Sequence, residues 1–223
     1  MVIMAASALY LEPPKASNGG PSGINVKSIL PDTQFTAKEA RKTWQFYALW
    51  WIFFTNITCG IGLLAVASPM AQEVVKMTPM AAASMVGIIG LINGLGRIFW
   101  STISDYLGRS TVYVVFFLIQ IFAFYALAET SSAFIFQLIV FVIISCYGGG
   151  FSCMPAFLSD LFLTAWGMAG IAGPLLLSWI RETTNSYSIT LYFFSACFVV
   201  SLIIAGILKW RTSVGVLIEK KHF

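Results

Sequence analysis

Charged residues are scarce in this sequence: Asp, Glu, Lys and Arg make up 10% of its 223 residues, where a soluble domain carries about 25%. A water-facing surface of ordinary extent is thereby excluded. Histidine occurs once, at His222 in the tail, so a histidine-built metal centre or catalytic triad has no partners. Carboxylates are missing from the interior of every long apolar run, which removes the usual element of an intramembrane proton relay. The four cysteines, Cys59, Cys146, Cys153 and Cys197, all fall inside such runs. There they behave as small apolar side chains, and neither a disulfide framework nor a metal site is expected. No cofactor is implied. With no nucleophile–base pair and no metal cluster, an enzyme is the function class with least support.

What the sequence does contain is apolar length. Hydrophobic residues reach 58% and the mean hydropathy is +0.85. The charge-poor intervals are 43–72, 77–96, 110–128, 130–159, 161–180 and 183–208. A helix needs roughly 20 residues to cross a hydrocarbon core, so each interval holds one span. Helices are predicted near 44–68, 81–103, 111–128, 133–154, 163–180 and 189–208. The runs are apolar on both parities, which excludes the alternating strands of a membrane barrel. The fold class is therefore an all-α membrane protein of six transmembrane helices in a lipid bilayer.

The net charge of +4 does not imply a nucleic acid partner, because its distribution is that of a membrane protein. Six spans put both termini on one side, together with Lys15, Lys27, Lys38, Arg41, Lys42, Arg109, Lys209, Arg211, Lys220 and Lys221. The other side holds Lys76 and Arg181. Basic residues gather on the cytoplasmic side of membrane proteins, so both ends are expected to be cytoplasmic in an integral, multi-pass protein of the plasma (cell inner) membrane. Residues 1–11 are apolar but too short to span, and lack the basic leading region of a secretory signal; they read as the end of a preceding helix. Residues 12–42, rich in Gly, Pro, Ser and Lys, read as a cytoplasmic linker. The six-helix unit then occupies 43–210 and a cytoplasmic tail 211–223.

Arg97 is the one full charge well inside a predicted span. At about 100° per residue, Ala83, Gly87, Gly90, Gly94, Arg97 and Ser101 fall within an arc of roughly 80°, and Asn93 lies one turn before Arg97. Small residues at these spacings let another helix approach closely, so the stripe is expected to face protein and Arg97 to point into the bundle or its cavity. Two readings stay open: a structural arginine bonded to backbone carbonyls or to Asp105, and a cationic anchor for an anionic substrate. Tyr147-Gly148-Gly149-Gly150-Phe151-Ser152 interrupts the fourth span, and Gly167, Gly170, Gly173 and Pro174 the fifth. Such residues mark close packing or bending beside a cavity. Trp50, Asn56, Tyr147 and Trp166 are further candidates for a binding site, although packing or interfacial anchoring accounts for each alone. Asn56-Ile57-Thr58 fits the glycosylation pattern but sits in mid-span, out of reach of modification.

The segment from Gly94 to Arg109 resembles the cytoplasmic loop signature of the major facilitator superfamily, G-x-x-x-D-x-x-G-R, between the second and third helices of a six-helix half. Asp105, Gly108 and Arg109 match, while Ser101 stands where glycine is usual. The resemblance implies that this cluster acts as a gate motif stabilising the outward-open state. Lys42-Thr43-Trp44-Gln45-Phe46-Tyr47, Asn93-Gly94-Leu95-Gly96-Arg97, Pro155 to Phe162, Leu163 to Trp166 and Gly170 to Pro174 are similar to the oxalate/formate antiporter family, which includes permeases for lactate and related monocarboxylates. It implies that the six spans are helices seven to twelve, the C-terminal half of the fold, and that Arg97 binds substrate carboxylate. Oxalate-carrying members have a lysine near the position of Trp166. Its absence here favours a monocarboxylate over a dicarboxylate. Members also carry an additional basic and glycine-containing stretch between Phe162 and Leu163; without it, the connection around 155–162 is unusually apolar for a cytoplasmic loop. One half supplies one wall of a substrate path, so activity is expected to need a second six-helix half or a homodimer. A non-transporting interaction subunit and a truncated product are the other readings.

Overall fold

The computed structural model describes residues 42–153 and 159–219. Among them the regular elements are six α-helices: α1 Trp44–Val74, α2 Pro79–Leu107, α3 Arg109–Glu129, α4 Ala133–Ser152, α5 Ser159–Thr184 and α6 Ser188–Glu219. Residues 1–11, most of the 12–42 linker and the end of the tail, where the sequence suggested a helix remnant and cytoplasmic segments, lie outside the described residues.

Several helices outrun their apolar intervals. α5 begins at Ser159, inside the stretch expected to be a loop, and α6 runs to Glu219, past the expected start of the tail. The reason is that charge limits how much of a helix lipid can cover, not how far its hydrogen bonding extends. Five of the helices are long and apolar enough to cross a membrane. The sixth, α5, has ample length at 26 residues but carries Asp160, Arg181 and Glu182 near its ends and a middle rich in glycine and alanine.

The ends follow local chemistry. Thr78 accepts a hydrogen bond from the Ala81 amide through its side chain, and Pro79 occupies the first turn of α2, where a missing N–H costs nothing. Gly108 joins α2 to α3 with φ +80°, a conformation that favours glycine. Its amide closes α2 on the Ser104 carbonyl, and its own carbonyl accepts from Thr111 and Val112 to open α3.

The extensive helix pairs are α1 with α5, α3 with α6 and α2 with α4. Within lipid there is no hydrophobic gain from joining apolar helices, so close fit decides association. α5 buries Ala165, Ala169 and Leu177 at four- and eight-residue spacings, with Gly173 between. That small-residue ridge admits α1 so closely that a Cβ at Gly173 would collide with the Thr58 carbonyl oxygen and one at Gly62 would lie 3.2 Å from the Gly173 carbonyl. The α3–α6 seam is aromatic: Phe124 stacks on Phe198 at 5.5 Å and meets Phe194 edge-on at 5.6 Å, and Phe117 lies 5.7 Å from Phe198. α1 is central, burying residues on most of its faces from Ala48 to Ala71. α2 buries a narrow face, Ala82, Met85, Ile89, Gly96 and Ser104.

On the opposite face of α2 the structure corrects the expectation for the small-residue stripe. Ala83, Gly87, Gly90, Gly94 and Arg97 are exposed, and a Cβ on any of the three glycines would meet nothing within 4 Å. The residues that contact α4 are the other set, led by Gly96, whose added Cβ would lie 2.6 Å from the Ser145 carbonyl. The stripe is thus uncovered by the described residues.

Glycine fit generates a test. Gly148 is backed by the Asn93 carbonyl, whereas Gly206 in α6 faces open space. Gly148→Ala is expected to lower the thermal midpoint of the purified protein, with a cost of about 1–3 kcal/mol for overpacking. Gly206→Ala is expected to leave the midpoint unchanged or raise it slightly, since alanine favours helix by about 1 kcal/mol.

Candidate functional site

Three consecutive glycines organise the region around Arg97, and each is needed by a different neighbour. Gly148 lies against Asn93, Gly149 against the Trp100 ring, and Gly150 against the Asn56 amide. α4 can therefore touch α1 and α2 at once. Around this node the Trp100 indole donates to Ser145 Oγ at 2.9 Å, and the Ser152 hydroxyl donates to the Arg97 carbonyl at 3.0 Å. The backbone bearing Arg97 is thereby tied to the end of α4.

Next to it Phe53, Ile57, Tyr147, Ala165 and Ala169 form a buried cluster, with Trp50, Phe54, Ile61 and Phe151 packed at its edge. Tyr147 stands edge-on to Phe151 at 5.2 Å, and Phe53 approaches the same ring at 5.7 Å. Gly60 permits this, because a Cβ there would collide with the Tyr147 ring. The Trp50 indole stacks on Phe54 at 4.8 Å and donates to Thr164 Oγ1 at 3.3 Å. The Arg97 guanidinium carbon lies 5.4 Å from the centre of the Phe151 ring. Among the described residues no carboxylate or carbonyl accepts a hydrogen bond from that guanidinium, and Asp105 makes no ion pair with it. An exposed cation on an aromatic edge is what remains.

Of the residues expected at a site, Arg97, Trp50 and Tyr147 are brought together by this cluster. Asn56 and Asn93 sit at the adjoining glycine run, turned to other partners. Asn56 is fully buried and accepts a 2.9 Å hydrogen bond from Gln120 Nε2 of α3. Asn93 turns its Oδ1 into the contact with Gly148, buried and without a hydrogen-bond partner. Trp166 is 47% exposed beside the buried Ala165, and so lies outside the cluster. Gln120 and Phe151 escaped the sequence reading. The polar Gln120 in an otherwise apolar span was the available signal for one; for the other it was an aromatic closing the glycine run. Asp105 is exposed at the end of α2, Gly108 makes the turn, and Arg109 follows at the start of α3.

A separate cleft of about 480 Å³ lies between α2 and α4, lined by Ile92, Leu95, Phe99, Leu138, Val142 and others. Its walls are apolar and hold no charge, so an anion gains nothing there.

The Asn56–Gln120 bond is a buried polar tie between α1 and α3, and Asn56 Nδ2 and Gln120 Oε1 lack further partners. Asn56→Leu alone is expected to strand Gln120 and cost about 1–3 kcal/mol. Combining it with Gln120→Met removes both polar groups and is expected to restore most of the loss, measured as a double-mutant cycle on thermal midpoints.

Comparison with known proteins matches the model of the Major Facilitator Superfamily over residues 1–163. Over 149 residues the chain is 28% identical to the oxalate:formate antiporter of Oxalobacter formigenes, an alignment covering 66% of this chain and 35% of that protein. It is also 22% identical over 166 residues to an uncharacterized MFS-type transporter, YhjX, of Escherichia coli strain K12, covering 73% of this chain and 39% of the relative. The chain spans well under half the length of these curated relatives. Its apolar helices, their arrangement and the extent of the family match agree: this integral, multi-pass membrane protein belongs to the Major Facilitator Superfamily, and its six helices correspond to one half of that fold.

Proposed function

We propose that the chain is the C-terminal half, helices seven to twelve, of a secondary carrier for small organic anions, in the manner of an antiporter for monocarboxylates such as lactate or formate. The observation that carries this reading is the Arg97 guanidinium, exposed on an aromatic edge with no anionic partner among the described residues. An arginine in a span costs about 2.5–3.5 kcal/mol. A cation–π contact with Phe151 returns about 0.5–2 kcal/mol, which leaves a deficit that a carboxylate would offset. The relative named for oxalate and formate supports the substrate class, since both are carboxylates. With a single cation at the cluster, one carboxylate is matched and a second would be buried without a counter-charge.

The open stripe on α2, Gly87, Gly90 and Gly94, is the surface on which a second six-helix half, or another copy of this chain, would seat. Small residues allow a helix to approach there, and the approaching helix would close the second wall over Arg97. Asp105, Gly108 and Arg109 would act as the gate motif at the end of α2, with both termini cytoplasmic in the plasma membrane. The chemistry is carriage rather than catalysis.

Uptake into proteoliposomes containing the chain with a partner half is expected to accumulate labelled lactate or formate. Arg97→Ala is expected to lower uptake by up to about 100-fold, as loss of a charge-assisted hydrogen bond costs roughly 1.5–3 kcal/mol. Arg97→Lys is expected to fall between, because lysine keeps the charge but lacks the planar fork. Equal uptake by wild type and Arg97→Ala, or none under any pairing, overturns the proposal.

A further inference from the structure

The α1–α5 pair is held differently at its two ends and in its middle. In the middle the backbones meet at Gly62 and Gly173. Trp50 precedes Gly62 by twelve residues and Glu73 follows it by eleven; Thr164 precedes Gly173 by nine and Arg181 follows it by eight. At 1.5 Å per residue each arm is roughly 12–18 Å long. The Trp50 end rests on a buried apolar cluster with one long hydrogen bond of 3.3 Å. The Glu73 end is closed by charge. Arg181 Nη2 donates to both Glu73 carboxylate oxygens, at 2.6 and 2.5 Å. The same guanidinium lies 4.9 Å from the centre of the Tyr187 ring, in the turn before α6. Burial holds the Tyr187 phenol above its ordinary pKa and the Glu73 carboxylate adds to this, while Arg181 opposes it.

We infer that Glu73, Arg181 and Tyr187 form a breakable clasp whose release lets the end of α5 swing away from α1 about a hinge at Gly173–Pro174, opening one end of the helix pair that carries the Trp50 cluster. Four features fit a moving part better than a permanent brace. The two charged side chains are 40% and 48% exposed, so solvent screens the pair and it separates readily. Proline at position 174 removes the amide that would bond to the carbonyl of Gly170, so α5 is weakened over 170–174, at the crossing point itself. Gly173 has no side chain to key into α1, so the contact can rotate without unlocking a knob from a hole. Pro69, inside α1 one turn before Glu73, weakens the facing arm as well.

The test uses the full chain in liposomes, with its four cysteines replaced and spin labels at positions 74 and 182 across the clasp. A second pair, at positions 47 and 167, reports on the opposite end. Glu73→Gln is expected to raise the population of long 74–182 distances by up to about five-fold and to leave the 47–167 distribution in place. Arg181→Gln is expected to reach the same population independently, and the exchange Glu73→Arg with Arg181→Glu to return it to the wild-type level. Adding Pro174→Ala to Glu73→Gln is expected to shorten the opened distances, because the helix regains its hydrogen bond at the hinge. An unchanged 74–182 distribution, equal broadening at both ends, or failure of the exchanged pair to restore closure overturns the inference. The readout uses no substrate, so it stands or falls separately from the anion-carrier proposal.

Discussion

Close approach of helix backbones at glycine is the constraint on which this structure depends. Between apolar helices in lipid, burial from water offers no driving force, and association rests on van der Waals fit and a few polar ties. The run Gly148-Gly149-Gly150 shows the consequence in one turn of helix. Each missing side chain admits a different group, from Asn93, Trp100 and Asn56, so α4 meets α1 and α2 together. The crossing of Gly62 with Gly173 repeats the device for α1 and α5. Between α3 and α6 aromatic rings fill the seam instead, through Phe117, Phe124, Phe194 and Phe198.

That packing determines what the polar groups can do. Asn56 and Gln120 are consumed by each other inside the bundle, and Asn93 is pressed into the glycine node. Arg97 is different because its backbone is held by Ser152 while its guanidinium reaches past the node to lie over the half-buried ring of Phe151. A rigid backbone beneath a charge with unused hydrogen-bonding capacity suits a binding group, since positioning is then settled before a ligand arrives. The Glu73–Arg181 pair has the reverse character, with both charges satisfied and both partly exposed at the ends of their helices.

Much of the architecture was legible in the sequence. Long charge-poor intervals can only be membrane helices, and Gly108 and Pro79 suit a turn and a first helical turn for elementary conformational reasons, whereas the Thr78 cap emerged from the structure. Helix ends were less legible. α5 starts at Ser159 and α6 continues to Glu219 because backbone hydrogen bonding persists where apolarity stops. The site was legible in part. Arg97 stood out as a charge in a span, Tyr147 as an aromatic at the glycine run and Trp50 as a member of an aromatic cluster, yet nothing in their spacing revealed Phe151 as the ring beneath the guanidinium.

The sequence by itself determined the solvent, the number and approximate position of the helices, and the presence of one unusual cation, because each follows from local composition and a fixed rise per residue. Only the tertiary structure decided which face of α2 is covered. Gly87, Gly90 and Gly94 carry the same small-residue signal as Gly96, but α4 packs on Gly96 and leaves the others open. Periodicity assigns residues to faces of a helix; which face finds a neighbour depends on contacts made by residues far away along the chain.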